Sequence, residues 1–161
     1  MGVRRVEITP GRPGDDVLGD VAMRMRQADV DELQHLSRRE PYEALRLSVD
    51  SSDEVYAVTV DGVPVAAFGV APVVALGRVG APWFLGTDEV ADHPREFVRG
   101  GRRAVHYWLG RYTLLANTVS GRNELSKRWL ARVGFELAPA HTVNGAPAHH
   151  FWARGGTTCA T

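Results

Sequence analysis

The sequence has only one cysteine, Cys159, and one lysine, Lys127, in 161 residues. A single cysteine excludes a disulfide within the chain, so nothing here points to an oxidising compartment. Long apolar runs are also missing, because the longest, 63–76, is broken by two prolines and a glycine and is too short to cross a bilayer. The N-terminus lacks the apolar block of a signal peptide. We therefore expect one soluble domain with no membrane contact.

The net charge is zero, but it is divided unevenly along the chain. Residues 1–92 carry 16 acidic and 9 basic residues, a net charge of −7, and residues 93–161 carry 3 and 10, a net charge of +7. Such asymmetry is typical of a basic face for phosphates, of a polar contact between the two halves, or of head-to-tail association between copies.

The first third of the chain predicts an arm, a strand and two helices. Residues 1–16 are rich in proline and glycine without periodicity, which predicts an extended N-terminal arm. Alternating apolar residues predict a first strand over 17–26. Asp29, followed three residues later by Glu32, predicts a capping box that starts a helix, and Pro41 opens a second helix to about Val49.

The remaining pattern predicts strands interrupted by two more helices. Asp61-Gly62 joins strands 54–60 and 63–70 in a hairpin, and Asn144-Gly145 forms a second hairpin turn before strand 149–153. Strands 81–85 and 113–118 are expected to be neighbours on either side of a helix over 94–112. Because Gly100-Gly101 weakens that helix, it can instead begin near Arg102.

The segment from Asn117 to Phe135 runs from a strand through a turn into a short helix, with Asn123 as the N-cap and Gly134 as the C-cap. Its pattern N-x-x-small-x-x-apolar-x-x-x-x-G-F resembles the closing segment of the GNAT superfamily, the acetyl-CoA-dependent N-acetyltransferases. An ordinary capped helix is the alternative. The resemblance implies an α+β fold with a central mixed, mostly antiparallel sheet flanked by helices, as a domain over 17–154 followed by a tail over 155–161.

Three motifs in order, P-W-F-L-G-T-D, L-L-A-N-T-V-S-G-R-N and R-W-L-A-R-V-G-F, resemble small GNAT-like proteins of tailed phages. Some of those proteins are internal or head-tail components of the virion. This resemblance implies a virion-associated structural or interaction protein in the virion or the host cytoplasm. Its partners would be other virion proteins or copies of itself, with contact to nucleic acid as a further expectation.

The GNAT resemblance also implies acetyl-CoA as cofactor and a set of residues that would hold it. Those cofactor-binding candidates are Arg99, Gly100, Gly101 and Arg102 at the expected phosphate cradle, with Asn117 and Asn123 along the pantetheine arm. No register of 93–104 reproduces the family's cradle motif, and packing or hinge roles are the alternative for the glycines. Leu130 stands where the family carries a tyrosine that protonates the leaving thiolate, which favours a degenerate site.

Asp88, Glu89 and His106 are the catalytic candidates, as bases that would deprotonate an amine, and loop, cap or surface roles are their alternatives. Arg95, Arg99 and Arg103 form a basic stripe on one predicted helical face, and we expect it to contact a polyanionic or acidic surface. No metal site is expected, because His149 and His150 point to opposite faces of a strand.

Two hypotheses follow. The first is a GNAT-fold virion protein with a degenerate acetyltransferase site. The second is an acetyl-CoA-dependent N-acetyltransferase acting on a small-molecule or protein amine.

Overall fold

The structure is a computed structural model that describes residues 2–73 and 77–156, so Cys159 lies outside the described residues. The described residues form eight strands and five helices. The strands are β1 (Val6–Pro10), β2 (Glu54–Val60), β3 (Val63–Pro72), β4 (Val79–Gly86), β5 (Leu114–Ser120), β6 (Glu136–Leu137), β7 (His141–Val143) and β8 (Ala146–Arg154). The helices are α1 (Asp15–Met23), α2 (Gln27–Leu36), α3 (Pro41–Ser51), α4 (Pro94–Trp108) and α5 (Glu124–Val133), with a short 3₁₀ helix at Asp88–Asp92.

All eight strands form one sheet in the order β1-β2-β3-β4-β5-β8-β6, and β7 pairs with β8. Among the described strands only β4 and β5 pair in parallel, and their pairing is limited to Val79 with Leu114 and Gly80 with Leu115. The expected α+β fold with a mixed, mostly antiparallel sheet is confirmed. The expected adjacency of the two central strands is confirmed as well.

Apolar side chains form one cluster on each face of the sheet. Leu18, Val21 and Leu45 belong to the cluster that α1, α2 and α3 complete. Phe97 and Leu130 belong to the cluster that α4 and α5 complete. Across the described residues the longest helix, α4, has 15 residues, and none has the length and apolarity that a bilayer crossing requires.

The strand predicted over 17–26 was wrong, whereas the two helices predicted after it are present as α2 and α3. The predicted arm contains β1, which pairs antiparallel with β2, and the predicted strand 17–26 is mostly helix α1. Leu18, Val21 and Met25 are buried at spacings of three and four, whereas Met23 is 88% exposed. The window was too short to separate a period of 2 from one of 3.6, because Val21 and Met25 fit both.

The turn and cap predictions for the later elements are confirmed. Asp61-Gly62 and Asn144-Gly145 both have positive φ angles, 49° and 80° in the first turn and 47° and 81° in the second. Asn123 Oδ1 accepts the Ser126 amide at 3.1 Å, and Gly134 closes α5 at φ 110°. Helix α4 begins at Pro94, so Gly100 and Gly101 lie inside it and the alternative start near Arg102 is wrong.

Candidate functional site

The two parallel strands diverge towards their C-terminal ends, where no strand pairing joins them. Asn117 bridges the start of this gap, since its Nδ2 donates to the Pro82 carbonyl on β4 at 2.9 Å. Its Oδ1 accepts the Thr118 amide at 2.8 Å. One side chain therefore stands where the next ladder hydrogen bond would be, and the strands remain apart beyond it.

A cavity of about 280 Å³ occupies this gap, and we call it the central cavity. Its walls come from both helical layers, with Glu32, Leu33 and Leu36 on one side and Phe97, Trp129 and Leu130 on the other. Thr118, Asn117 and Ser126 supply polar groups at the rim of an otherwise apolar lining. Such a space, apolar with a few convergent polar groups, suits a small-molecule ligand.

At the open end of the gap lies a group of interacting polar side chains, the acidic network, formed by Arg26, Asp29, Glu32, Ser120 and Asn123. Asp29 is fully buried, and its Oδ2 accepts the Gly86 amide at 3.0 Å and lies 2.9 Å from Arg26 Nε. Glu32 Oε1 accepts the Ser120 amide at 2.7 Å. Four elements meet here, namely α2, the ends of β4 and β5, and the start of α5.

Asn123 connects both carboxylates to α5. Because its Oδ1 caps the helix by accepting the Ser126 amide, its Nδ2 is left to donate to Asp29 Oδ1 and Glu32 Oε2, both at 3.3 Å. The predicted N-cap is thus also a connector between two helices. Asp29 and Glu32 do not form the predicted capping box, since no side chain caps α2 and their oxygens bond to β4, β5 and α5 instead.

Burial controls the electrostatics of this network. Loss of water raises the pKa of Asp29 above its ordinary value, although Arg26 and the Gly86 amide act against the shift. Burial likewise raises the pKa of Glu32 to about 7, and the charge of Asp29 adds to that shift. Glu32 therefore exchanges a proton near neutral pH, as a general acid or base requires.

A second, polar cavity of about 420 Å³ lies on the other side of Glu32, between α2 and the β7–β8 turn. Its walls include Asp31, His35, Arg122 and Asn144. His35 fixes the turn, because its ring contacts Ser120 Oγ at 2.8 Å and the Val143 carbonyl at 2.6 Å. In the described residues, Glu32 is the one side chain that lines both cavities.

None of the predicted catalytic residues lines the central cavity. Asp88 is exposed, and His106 is exposed in the last turn of α4. Glu89 lies 3.6 Å from Arg24 in an ion pair. Their catalytic role stays a prediction, and their surroundings favour the loop and surface alternatives.

The two adjacent glycines contact neighbouring elements. A Cβ on Gly101 would lie 2.6 Å from Val133 and 2.8 Å from the Trp129 ring, and one on Gly100 would lie 2.8 Å from the Ile8 side chain. Both residues are inside α4, where amides bond to carbonyls four residues earlier and are not free for phosphate. This arrangement favours the packing alternative for Gly100 and Gly101, with Gly101 permitting close approach of α4 and α5.

The remaining arginine candidates lie on the surface of α4. Arg95, Arg99 and Arg103 are exposed, and within the described residues none forms an ion pair within 4.0 Å. Arg102 is also exposed, and its Nε donates to the Arg132 carbonyl at 3.0 Å. The basic stripe is therefore present as a solvated face.

Tyrosine is missing from the described lining of the central cavity. Tyr112 donates its hydroxyl to Asp53 at 2.6 Å, and Tyr107 lies in a groove beside β1. Leu130 is buried in the cavity wall, at the position where the resemblance implies a tyrosine. The missing proton donor is thus not replaced by another phenol at this cavity.

Sequence reasoning did not identify Arg26, Asp29 and Glu32 as a polar centre. The spacing Asp-x-x-Glu fitted a local cap, and long-range contacts are not visible in a single sequence. One signal was available, because an acidic pair inside an apolar helical stripe demands buried partners.

Solved structures that resemble this chain are acetyltransferases. An acetyltransferase of the GNAT family from Bacillus anthracis superposes with a TM-score of 0.68 at 9% identity, over 94% of this chain and 98% of that one. Spermidine N-acetyltransferase from Vibrio cholerae, in complex with CoA and spermine, gives 0.66 at 10% identity, over 92% and 95%. The aminoglycoside acetyltransferase AAC(6')-Ib, in complex with ribostamycin and coenzyme A, gives 0.65 at 16% identity, over 91% and 93%.

No protein-family model matches the sequence, and no curated protein matches it. The chain has the GNAT fold along nearly its whole length, as the resemblance implied. At these identities the likeness concerns the fold, so function has to be argued from the site. The resemblance to phage proteins stays a prediction.

Proposed function

We propose that the chain is an acetyl-CoA-dependent N-acetyltransferase that binds the pantetheine arm of its cosubstrate in the central cavity. The observation that carries this proposal is the divergence of β4 and β5, which pair at two positions and then enclose an apolar cavity between both helical layers. Structural neighbours with the same fold include complexes with coenzyme A. Each of the three neighbours described superposes on at least 91% of this chain.

Polar groups near the start of α4 fit the diphosphate end of such a ligand. Helix α4 has no side-chain cap, so its first amides are available to an anion, which the helix dipole also favours. His93 Nε2, in the residue that precedes the helix, is buried without a hydrogen-bond partner, and so is Thr87 Oγ1 at the start of the 3₁₀ helix that leads to it. These donors differ from the glycine cradle that the sequence predicted, because Gly100 and Gly101 lie further along the helix.

When bound, acetyl-CoA supplies an activated thioester. The residues of this chain position it and exclude water, with Leu130 and Trp129 forming the apolar wall. Ser126 lines the cavity and accepts a hydrogen bond from Arg26 at 3.2 Å, so its own hydroxyl hydrogen is left to bond a ligand. Ser126 can thus hydrogen-bond the leaving sulfur where Leu130 cannot.

Calorimetric titration with coenzyme A and acetyl-CoA tests the proposal. Thr118→Phe places a ring in the central cavity and should weaken binding by at least about tenfold, a loss of about 1.4 kcal/mol. Thr142→Phe makes the same change on the exposed strand β7 and should bind as the unchanged protein does. Absence of binding to the unchanged protein at about 1 mM ligand, a free energy of about −4 kcal/mol, would contradict the proposal.

A second candidate is the virion-associated interaction protein with a degenerate site. The unpaired arginines of the basic stripe and the leucine at position 130 favour it. Replacing Arg99 and Arg103 together by Glu should then weaken self-association or duplex DNA binding and reduce its salt dependence. The matched control replaces Arg128 and Arg132, an exposed pair with the same spacing on α5. If the Arg99/Arg103 variant and the Arg128/Arg132 control sediment alike at low and at high salt, that result counts against the interaction hypothesis.

A further inference from the structure

Glu32 stands at the boundary between an apolar space and a polar one. It lines the central cavity, where the proposed function places the thioester arm, and it lines the polar cavity beside α2. A group that accepts a proton from an incoming amine has to reach the reacting nitrogen and also exchange that proton with water. Its position at the junction of the two cavities meets both requirements.

The Glu32 carboxylate is held in place by two donors. The Ser120 amide donates to Oε1 at 2.7 Å, and Asn123 Nδ2 donates to Oε2 at 3.3 Å. Asn123 is itself fixed by its cap contact to Ser126 and by Asp29. Each carboxylate oxygen keeps a further lone pair, so the group can accept one more hydrogen while remaining oriented.

The charged groups around Glu32 leave it as the exchangeable acid of the network. Arg26 forms an ion pair with Asp29, with Nε 2.9 Å from Oδ2. His35 makes contacts through both ring nitrogens, while Asp31 and Arg122 are exposed on the walls of the polar cavity. Burial and the Asp29 charge raise the pKa of Glu32 to about 7, close to the optimum for a base acting at neutral pH.

We propose that Glu32 takes the proton from an acceptor ammonium that enters through the polar cavity. This proposal rests on the proposed function. The ammonium gives one proton to Glu32, and the freed nitrogen lone pair forms the C–N bond to the acyl carbon. The C–S bond breaks with its electron pair on sulfur, the nitrogen loses its second proton to that sulfur, and Glu32 returns its proton to water through the polar cavity. The products are an amide, a thiol and one released proton.

The test compares Glu32→Gln with Glu136→Gln, the same change at an exposed residue of β6 that lines neither cavity, in two assays. The first measures coenzyme A binding by calorimetry, and all three proteins should bind alike. The second follows amine-dependent release of free thiol from acetyl-CoA over a panel of primary amines and a range of pH. Glu32→Gln should lower kcat by about 10²- to 10⁴-fold and remove the rise in rate centred near pH 7, with a smaller effect on KM. Glu136→Gln should keep both the rate and the pH profile.

A titration of the unchanged protein by carboxyl NMR gives a readout that does not depend on turnover or on folding of the variant. The Glu32 carboxyl should titrate near pH 7, and a midpoint close to its ordinary value of 4.5 would overturn the assignment. Wild-type rates and pH dependence in Glu32→Gln would overturn it too, as would a coenzyme-binding chain that releases no thiol with any amine. Failure of coenzyme A to bind at all is the separate failure of the proposed function.

Discussion

The two ends of the β4–β5 pair carry similar side chains in different surroundings. At the paired end, Asp53 accepts the Tyr112 hydroxyl, and Glu54 bonds Arg111 and the Trp108 ring nitrogen. At the diverging end, Asp29 and Glu32 form the acidic network. Asp53 is exposed and Arg111 is half-exposed, so water screens these two charges, whereas Asp29 is fully buried.

This difference shows how burial changes the work that a carboxylate can do. At the paired end, burial and the bond to Asp53 raise the pKa of Tyr112 to about 12, and the phenol stays neutral. At the diverging end, burial raises the carboxyl pKa values instead. The paired end is suited to holding strands together, and the diverging end is suited to proton exchange.

The largest expected effect on stability comes from comparing two single variants, each of which removes one aspartate at one end of the pair. Asp29→Ala leaves the Arg26 guanidinium buried without its carboxylate and should lower the free energy of unfolding by about 3–5 kcal/mol. Asp53→Ala removes one exposed acceptor and should cost about 1 kcal/mol. Urea unfolding of both variants measures the contrast. Equal losses would show that burial does not distinguish the two ends.

The pH dependence of stability sharpens the comparison next. In the folded state the pKa of Glu32 is raised to about 7 from 4.5, so its contribution to stability is complete below pH 4.5 and is lost as pH rises through 7. Between pH 4.5 and pH 7, the free energy of unfolding of the unchanged protein should fall by up to about 3 kcal/mol relative to that of Glu32→Gln. If the difference in free energy of unfolding between the two proteins does not change with pH, the Glu32 carboxyl is solvated in the folded state.

Helix α4 contains two adjacent glycines, Gly100 and Gly101, that allow a matched comparison of packing. Gly101→Ala drives a Cβ against Val133 and Trp129 and should cost about 1–3 kcal/mol through overpacking. Gly100→Ala meets only the end of the flexible Ile8 side chain and should gain up to about 1 kcal/mol of helix propensity. Thermal unfolding measures both. Opposite signs are expected, and two losses of the same size would contradict this account of α4–α5 packing.

The smallest effect belongs to a single bond at the paired end. Tyr112→Phe removes the hydroxyl that donates to Asp53 at 2.6 Å and should cost about 0.5–1.5 kcal/mol. Combining it with Asp53→Ala in a double-mutant cycle should show that the two losses overlap. Fully additive losses would mean that this bond adds nothing to stability.

Local signals explain what the sequence could predict. Two turns with positive φ, Asp61-Gly62 and Asn144-Gly145, require residues that tolerate that conformation, and the letters alone reveal them. The caps of α5 at Asn123 and Gly134 are equally local. These features anchored the two hairpins and the GNAT resemblance, and both were confirmed at the level of the fold.

Long-range contacts explain what the sequence could not predict. Asp29 and Glu32 satisfied a local rule for helix starts, yet their partners are Gly86, Ser120 and Asn123. The same limit applied to Gly100 and Gly101, whose neighbours belong to β1 and α5. Local propensity located the elements, and tertiary contacts decided what these residues do.

The acidic network also bears on the order of events during folding. The hydrogen bonds that Ser120 and Asn123 donate to Asp29 and Glu32 join residues that are 88 to 94 positions apart, so the chain has to close very large loops before any of them forms. We expect them to be absent from the folding transition state. Asp29→Ala should therefore accelerate unfolding and leave the refolding rate nearly unchanged, which the two arms of a chevron plot would show separately.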